Sequence, residues 1–212
     1  MTEMIAHPLS HSELGGLLGN PSLRMICLTA GSVGEGVTTC AWSLASTLAE
    51  RYPGEVLVCD ANPERPDMSR AFNAADHVGF ANVFGASDEA LFTQLDQAVW
   101  RNAYGGPDFL AAGKPAEQAN ASGHRDWADL LVALRKRYRY ILLDCPPITP
   151  LSHAQQLARA CDGAVLVVAA HSAKRMAILA AARQLSGMDV KLVGTIYNRR
   201  RYPIPNWIYK WL

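Results

Sequence analysis

The stretch Leu28-Thr29-Ala30-Gly31-Ser32-Val33-Gly34-Glu35-Gly36-Val37-Thr38-Thr39 constrains this chain more than any other. Its glycines and threonines have the spacing G-x-x-x-x-G-[K]-[S/T], with Val37 where the lysine belongs. A loop of this spacing wraps backbone N–H groups around phosphates, reaches them with the lysine and holds magnesium with the next hydroxyl. Gly31, Gly34 and Gly36 can still form the loop and Thr38 can still meet a metal, but nothing within the loop supplies positive charge.

A cluster of Gly, Ser and Thr is first of all a turn, so its flanks decide its meaning. Arg24 to Ala30 reads as a short buried strand, and Thr38 to Arg51 carries Ala41, Trp42, Leu44, Ala45 and Leu48 at helical spacing. Strand, glycine loop and helix together make a helix N-terminus into an anion site.

The remaining chain alternates in the same way. Glu55 to Asp60, a weaker run at Asp108 to Ala112, Arg139 to Asp144, Ala164 to Ala169 and Lys191 to Tyr197 read as strands. Trp127 to Tyr138, His153 to Ala160 and Ala173 to Ser186 read as helices. Near-continuous apolar strands between amphipathic helices predict an α/β fold, a mainly parallel sheet covered on both faces. With 212 residues, half of them hydrophobic, one domain can bury its own core. We expect it to span 24–200, between an N-terminal extension (1–23) and a tail (201–212), with 113–123 as an insertion.

The net charge of +1 gives no global electrostatic case for nucleic acid. Cys27, Cys40, Cys59, Cys145 and Cys161 lie in apolar segments without a C-x-x-C pair, as in a reduced cytosolic protein. Met1 to Asn20 lacks the apolar stretch of a signal peptide. The expectation is a cytoplasmic protein, peripheral to the inner face of a membrane if it meets one.

Two strands end in aspartate, Asp60 and Asp144. In a doubly wound sheet ligands sit at the carboxyl ends of strands, so both carboxylates are expected to face the glycine loop. An apolar run ending in Asp is the usual magnesium-holding partner of such a loop. The alternative is a carboxylate that caps the next turn.

The run Val56-Leu57-Val58-Cys59-Asp60-Ala61-Asn62-Pro63-Glu64-Arg65-Pro66 resembles the second ATP motif of the bacterial tyrosine kinases, P-loop proteins of capsule and exopolysaccharide assembly. Tyr138-Arg139-Tyr140-Ile141-Leu142-Leu143-Asp144-Cys145-Pro146-Pro147 and Val193-Gly194-Thr195-Ile196-Tyr197-Asn198-Arg199 follow in the family's order, and the resemblance covers about 24–199. It implies a three-layer P-loop fold of the deviant Walker A type. It also implies ATP or ADP with Mg at Gly34, Glu35, Gly36, Val37, Thr38 and Thr39, with Asn198 at the adenine edge. Thr38, Asp60 and Asp144 fall at metal positions, the two aspartates also at catalytic ones. The implied partner is a membrane-anchored co-polymerase or chain-length regulator.

The departures bear on activity. Phosphoryl transfer depends on positioned positive charge, so Val37 predicts a severe loss of rate and weak nucleotide binding, unless Lys114 or Lys174 reaches in from another loop. The N-terminal segment Glu13 to Asn20 has no arginine, and Tyr197, Tyr202 and Tyr209 are scattered, which argues against an autophosphorylating ring but leaves another homo-oligomer open. We therefore expect a kinase-like protein that regulates or scaffolds by binding; a working kinase or ATPase is the alternative. A dinucleotide oxidoreductase fits less well, for lack of G-x-G-x-x-G. The tail, Arg199 to Leu212, is basic and aromatic, suited to a headgroup region or a partner groove, or to packing on the sheet.

Overall fold

The computed structural model describes residues 20, 22–84, 88–114, 127–149, 152–170 and 172–199. Residues 1–19 of the expected extension, the expected tail (201–212) and most of the expected insertion lie outside them.

Seven strands form one sheet: β1 (Met25–Ala30), β2 (Val56–Asp60), β3 (Val99–Trp100), β4 (Asp108–Leu110), β5 (Tyr140–Asp144), β6 (Gly163–Ala169) and β7 (Leu192–Asn198). Their order is β3-β4-β2-β5-β1-β6-β7. All neighbours pair in parallel except β3, which runs antiparallel to β4. Every residue of β1, β2, β5 and β6 is buried, as a parallel sheet with two covered faces requires. β1 lies between β5 and β6, so the winding reverses direction beside it and opens a crevice at its carboxyl end.

Helix α1 (Val37–Arg51) covers one face, where Leu44, Ala45 and Leu48 pack on Leu28, Val58 and Leu142. The short α2 (Asp67–Ala71) extends that layer through Met68. The opposite face is covered by α3 (Phe80–Phe84), α4 (Asp88–Ala98), α5 (Trp127–Arg137), α6 (Ala154–Ala160) and α7 (Arg175–Gly187), packed on Cys27, Leu57, Leu143 and Leu166. The result is the predicted three-layer α/β sandwich. Helices α2 to α4 and strand β3 are elements that the sequence patterns do not assign.

The arginines at the end of α5 and just after it are paired. Arg135 grips Asp162 through two hydrogen bonds, at 2.8 and 3.1 Å. The same carboxylate accepts the N–H groups of Arg24 (2.9 Å) and Met25 (2.7 Å) at the start of β1. Arg137 binds Asp96, and the Arg139 guanidinium lies over the Tyr52 ring. Asp162 thus joins α5, β1 and β6 at the end of the sheet opposite the glycine loop.

Burial alone would raise the Asp162 pKa, but Arg135 and the two backbone N–H groups outweigh it and hold it below the ordinary carboxylate value. Its ionised form is therefore stabilising, fully so above the ordinary carboxylate range and progressively less as pH falls through the lowered value. Asp162→Ala is expected to lower the unfolding free energy by about 1.5–3 kcal/mol at neutral pH. In urea titrations the gap to the parent protein should close in acid; a gap that persists unchanged there would contradict the assignment.

Candidate functional site

The loop after β1 keeps the form that its glycines allow. Gly34 and Gly36 adopt φ of 85° and 88°, in the left-handed region that suits glycine. At Gly36 a Cβ would meet the Asn198 side-chain nitrogen at 2.1 Å. A larger residue there would displace the Asn198 side chain and strain the left-handed turn. Gly36 then caps α1, accepting the N–H of Cys40 at 3.1 Å.

A cavity of about 520 Å³ opens over this loop, within the range of small-molecule sites. Gly34, Glu35, Gly36, Val37, Thr38 and Thr39 all line it, together with Asp144, Pro146, Arg65 and Arg199. A larger cavity, about 670 Å³, lies at the far end of α1 against Trp42, Phe72 and Tyr104. Polar and charged groups converge at the loop, so the smaller cavity is the candidate site. Val37 lines it and also packs against the core beneath α1.

The two strand-end aspartates meet different fates. They are paired across β2 and β5, and both are buried. After Asp60 the chain turns back on the carboxylate: Asn62 N–H donates at 3.3 Å, Ser69 N–H at 2.9 Å and the Ser69 hydroxyl at 2.7 Å. Asp60 thereby caps the turn into α2 and does not line the cavity. After Asp144 come Cys145, whose N–H is used by Leu28, and two prolines without N–H groups. Its carboxylate is left to the cavity, which Thr38 lines as well.

Burial pushes the Asp60 pKa up to about 6 against the pull of these hydrogen bonds. Burial first, then the charge of Asp60, drives Asp144 well above the ordinary value, with Thr38 pulling the other way. A divalent cation would relieve this crowding. Magnesium is usually held by one or two carboxylates plus phosphate oxygens and water, and Thr38 with Asp144 is a donor set of that kind. Among the described residues no cluster of three or more His, Cys, Asp or Glu suits a metal by itself.

Asn198 sits on the loop at the end of β7. Its amide nitrogen donates to the Glu35 carbonyl at 2.9 Å, and its oxygen accepts the Arg199 N–H at 2.8 Å. One N–H and one lone pair remain for another partner. Glu35 is buried; one carboxylate oxygen accepts the Ala169 N–H at 3.1 Å, and the other has no partner among the described residues. Lys114 pairs with Asp76, and neither it nor Lys174 lines the cavity. The cations that do, Arg65 and Arg199, are absent from the sequence-based set. Arg199 follows Asn198 directly, which is the one signal that could have found it.

The family model described as "Cellulose biosynthesis protein BcsQ" matches residues 23–196. The chain belongs to this family. The resemblance to bacterial tyrosine kinases also holds. The tyrosine-protein kinase CpsD of Streptococcus agalactiae is 28% identical over 178 residues, 83% of this chain and 75% of CpsD. The VpsO kinase domain superposes with a TM-score of 0.76 at 25% identity, covering 90% of this chain and 91% of that domain. The septum site-determining protein MinD of Pyrococcus horikoshii, solved with Mg-ADP, shares the fold, with a TM-score of 0.65 at 21% identity over 89% of this chain and 76% of its own.

Proposed function

We propose that the chain serves extracellular-polysaccharide biosynthesis as a regulator or scaffold that binds nucleotide and magnesium without efficient phosphoryl transfer. The observation that carries this reading is Val37 in an otherwise intact phosphate cradle. The loop glycines, Thr38 and Asp144 remain together around one cavity, while the position that would meet the phosphates with a cation carries an isopropyl group. The names of the family and of CpsD place its relatives in polysaccharide biosynthesis and tyrosine phosphorylation.

In this reading Gly34 to Thr39 receive the phosphates, Thr38 and Asp144 hold magnesium, and Asn198 braces the loop beside the base. Magnesium, when bound, supplies the charge that lets a phosphate chain approach the acids of the site. Asp60, committed to Ser69 and Asn62, supports the turn into α2 from outside the cavity. The alternative, a working kinase or ATPase, needs a cation from outside the loop. Transfer should be measured directly: purified protein with ATP and magnesium is expected to show no phosphotyrosine by mass spectrometry. Val37→Lys should raise ATP turnover at least about tenfold, given the 10²–10³ effect of one transition-state donor. Parent turnover at the rate of a lysine-bearing P-loop enzyme would refute the reading.

The proposed partner is a membrane-anchored co-polymerase or chain-length protein, met at the cytoplasmic side. Among the described residues no helix is long and apolar enough to cross a membrane, so membrane contact would come through such a partner. Trp207, Tyr209 and Trp211 offer the large aromatic surface that tends to anchor interfaces. Removing 200–212 is expected to weaken co-purification with the export complex while leaving the circular dichroism unchanged. Loss of folding would assign the tail to the core, and no effect on either would exclude it as the contact.

A further inference from the structure

We propose that Arg199 supplies the positive charge that Val37 withholds, gripping the phosphates of a bound nucleotide from the end of β7 and not from within the loop. The inference rests on the nucleotide-binding reading above and assigns the residue that makes such binding workable.

The loop has no cation from Leu28 to Cys40, and the cavity is lined by four carboxylates, Glu35, Glu64, Asp67 and Asp144. An anionic ligand entering this surface meets repulsion unless positive charge is fixed beside it. Only two guanidinium groups line the cavity among the described residues. Arg65 and Asp67 balance each other, at 3.0 Å, so that pair adds no net charge to the cavity. Arg199 makes no ion pair among the described residues.

The backbone of Arg199 is held against the loop. Asn198 bonds to the Glu35 carbonyl through its amide and to Arg199 through its oxygen, and its own carbonyl accepts the N–H of Ala170 at 2.7 Å. Arg199 then turns with φ of 57°, a conformation uncommon outside glycine, which ends the strand beside the loop and not beyond it. Arg199 lines the same cavity as Gly34 to Thr39, so its guanidinium is at the rim where phosphates on the helix N-terminus would sit. A planar guanidinium can also grip two phosphate oxygens at once, which suits it to reach in from a neighbouring strand in place of a loop lysine.

Calorimetric titration with ATP and magnesium tests this on four proteins: the parent, Arg199→Gln, Val37→Lys and the double variant. Arg199→Gln is expected to weaken binding about tenfold or more, with Arg199→Lys within about threefold of the parent. Restoring a lysine inside the loop should make the distant charge redundant, so the loss from Arg199→Gln should be far smaller in the Val37→Lys background. A purely structural role would not produce that interaction, nor leave the ligand-free thermal midpoint unchanged. If Val37→Lys binds tightly while Arg199→Gln binds within about twofold of the parent, Arg199 is not the substitute and the nucleotide reading survives. If neither the parent nor Val37→Lys binds, both fall.

Discussion

The bond from the Asn198 amide to the Glu35 carbonyl joins residues 163 positions apart in the chain and ties the first strand-loop-helix unit to the last strand. It forms because Gly36 has no Cβ and can adopt the left-handed turn pressed against Asn198. Around that contact the first helix starts, Thr38 faces Asp144, and Arg199 comes to the rim of the cavity.

The architecture was legible where burial writes itself into residue type. β1, β2, β5 and β6 are unbroken apolar runs, because both faces of the sheet are covered, and α1, α5, α6 and α7 show a helical period. α2 and α3, of five residues each, are too short to display a period, and β3 is two residues long. Propensity could not separate such short segments from loop; α4, by contrast, is as long and as amphipathic as α5, so its pattern was present in the sequence and was passed over.

The site was legible in part for a similar reason. The loop residues are contiguous, so spacing reveals them. The two aspartates look alike in sequence, and what separates them is the chain that follows: Asn62 and Ser69 return N–H and hydroxyl donors to Asp60, whereas Pro146 and Pro147 have no N–H for Asp144. Arg199 lies beyond the reach of any local pattern, because its nearness to the loop is made by β7 adding to the sheet beside β6. The acidic partners of Arg135 and Arg137, Asp162 and Asp96, come from distant segments, so no local pattern pairs them.

The account turns on charge balance. Buried Glu35 and Asp144 line a cavity whose loop has no cation of its own, and in the proposed reading phosphate enters only when metal and Arg199 offset those charges. The most direct measurement is binding of ATP followed by calorimetry with magnesium present and again with the metal removed by chelator. Weak binding that depends on magnesium is the predicted result. Binding of equal strength without metal would contradict the account, since the acids of the cavity would then be no barrier to the phosphates.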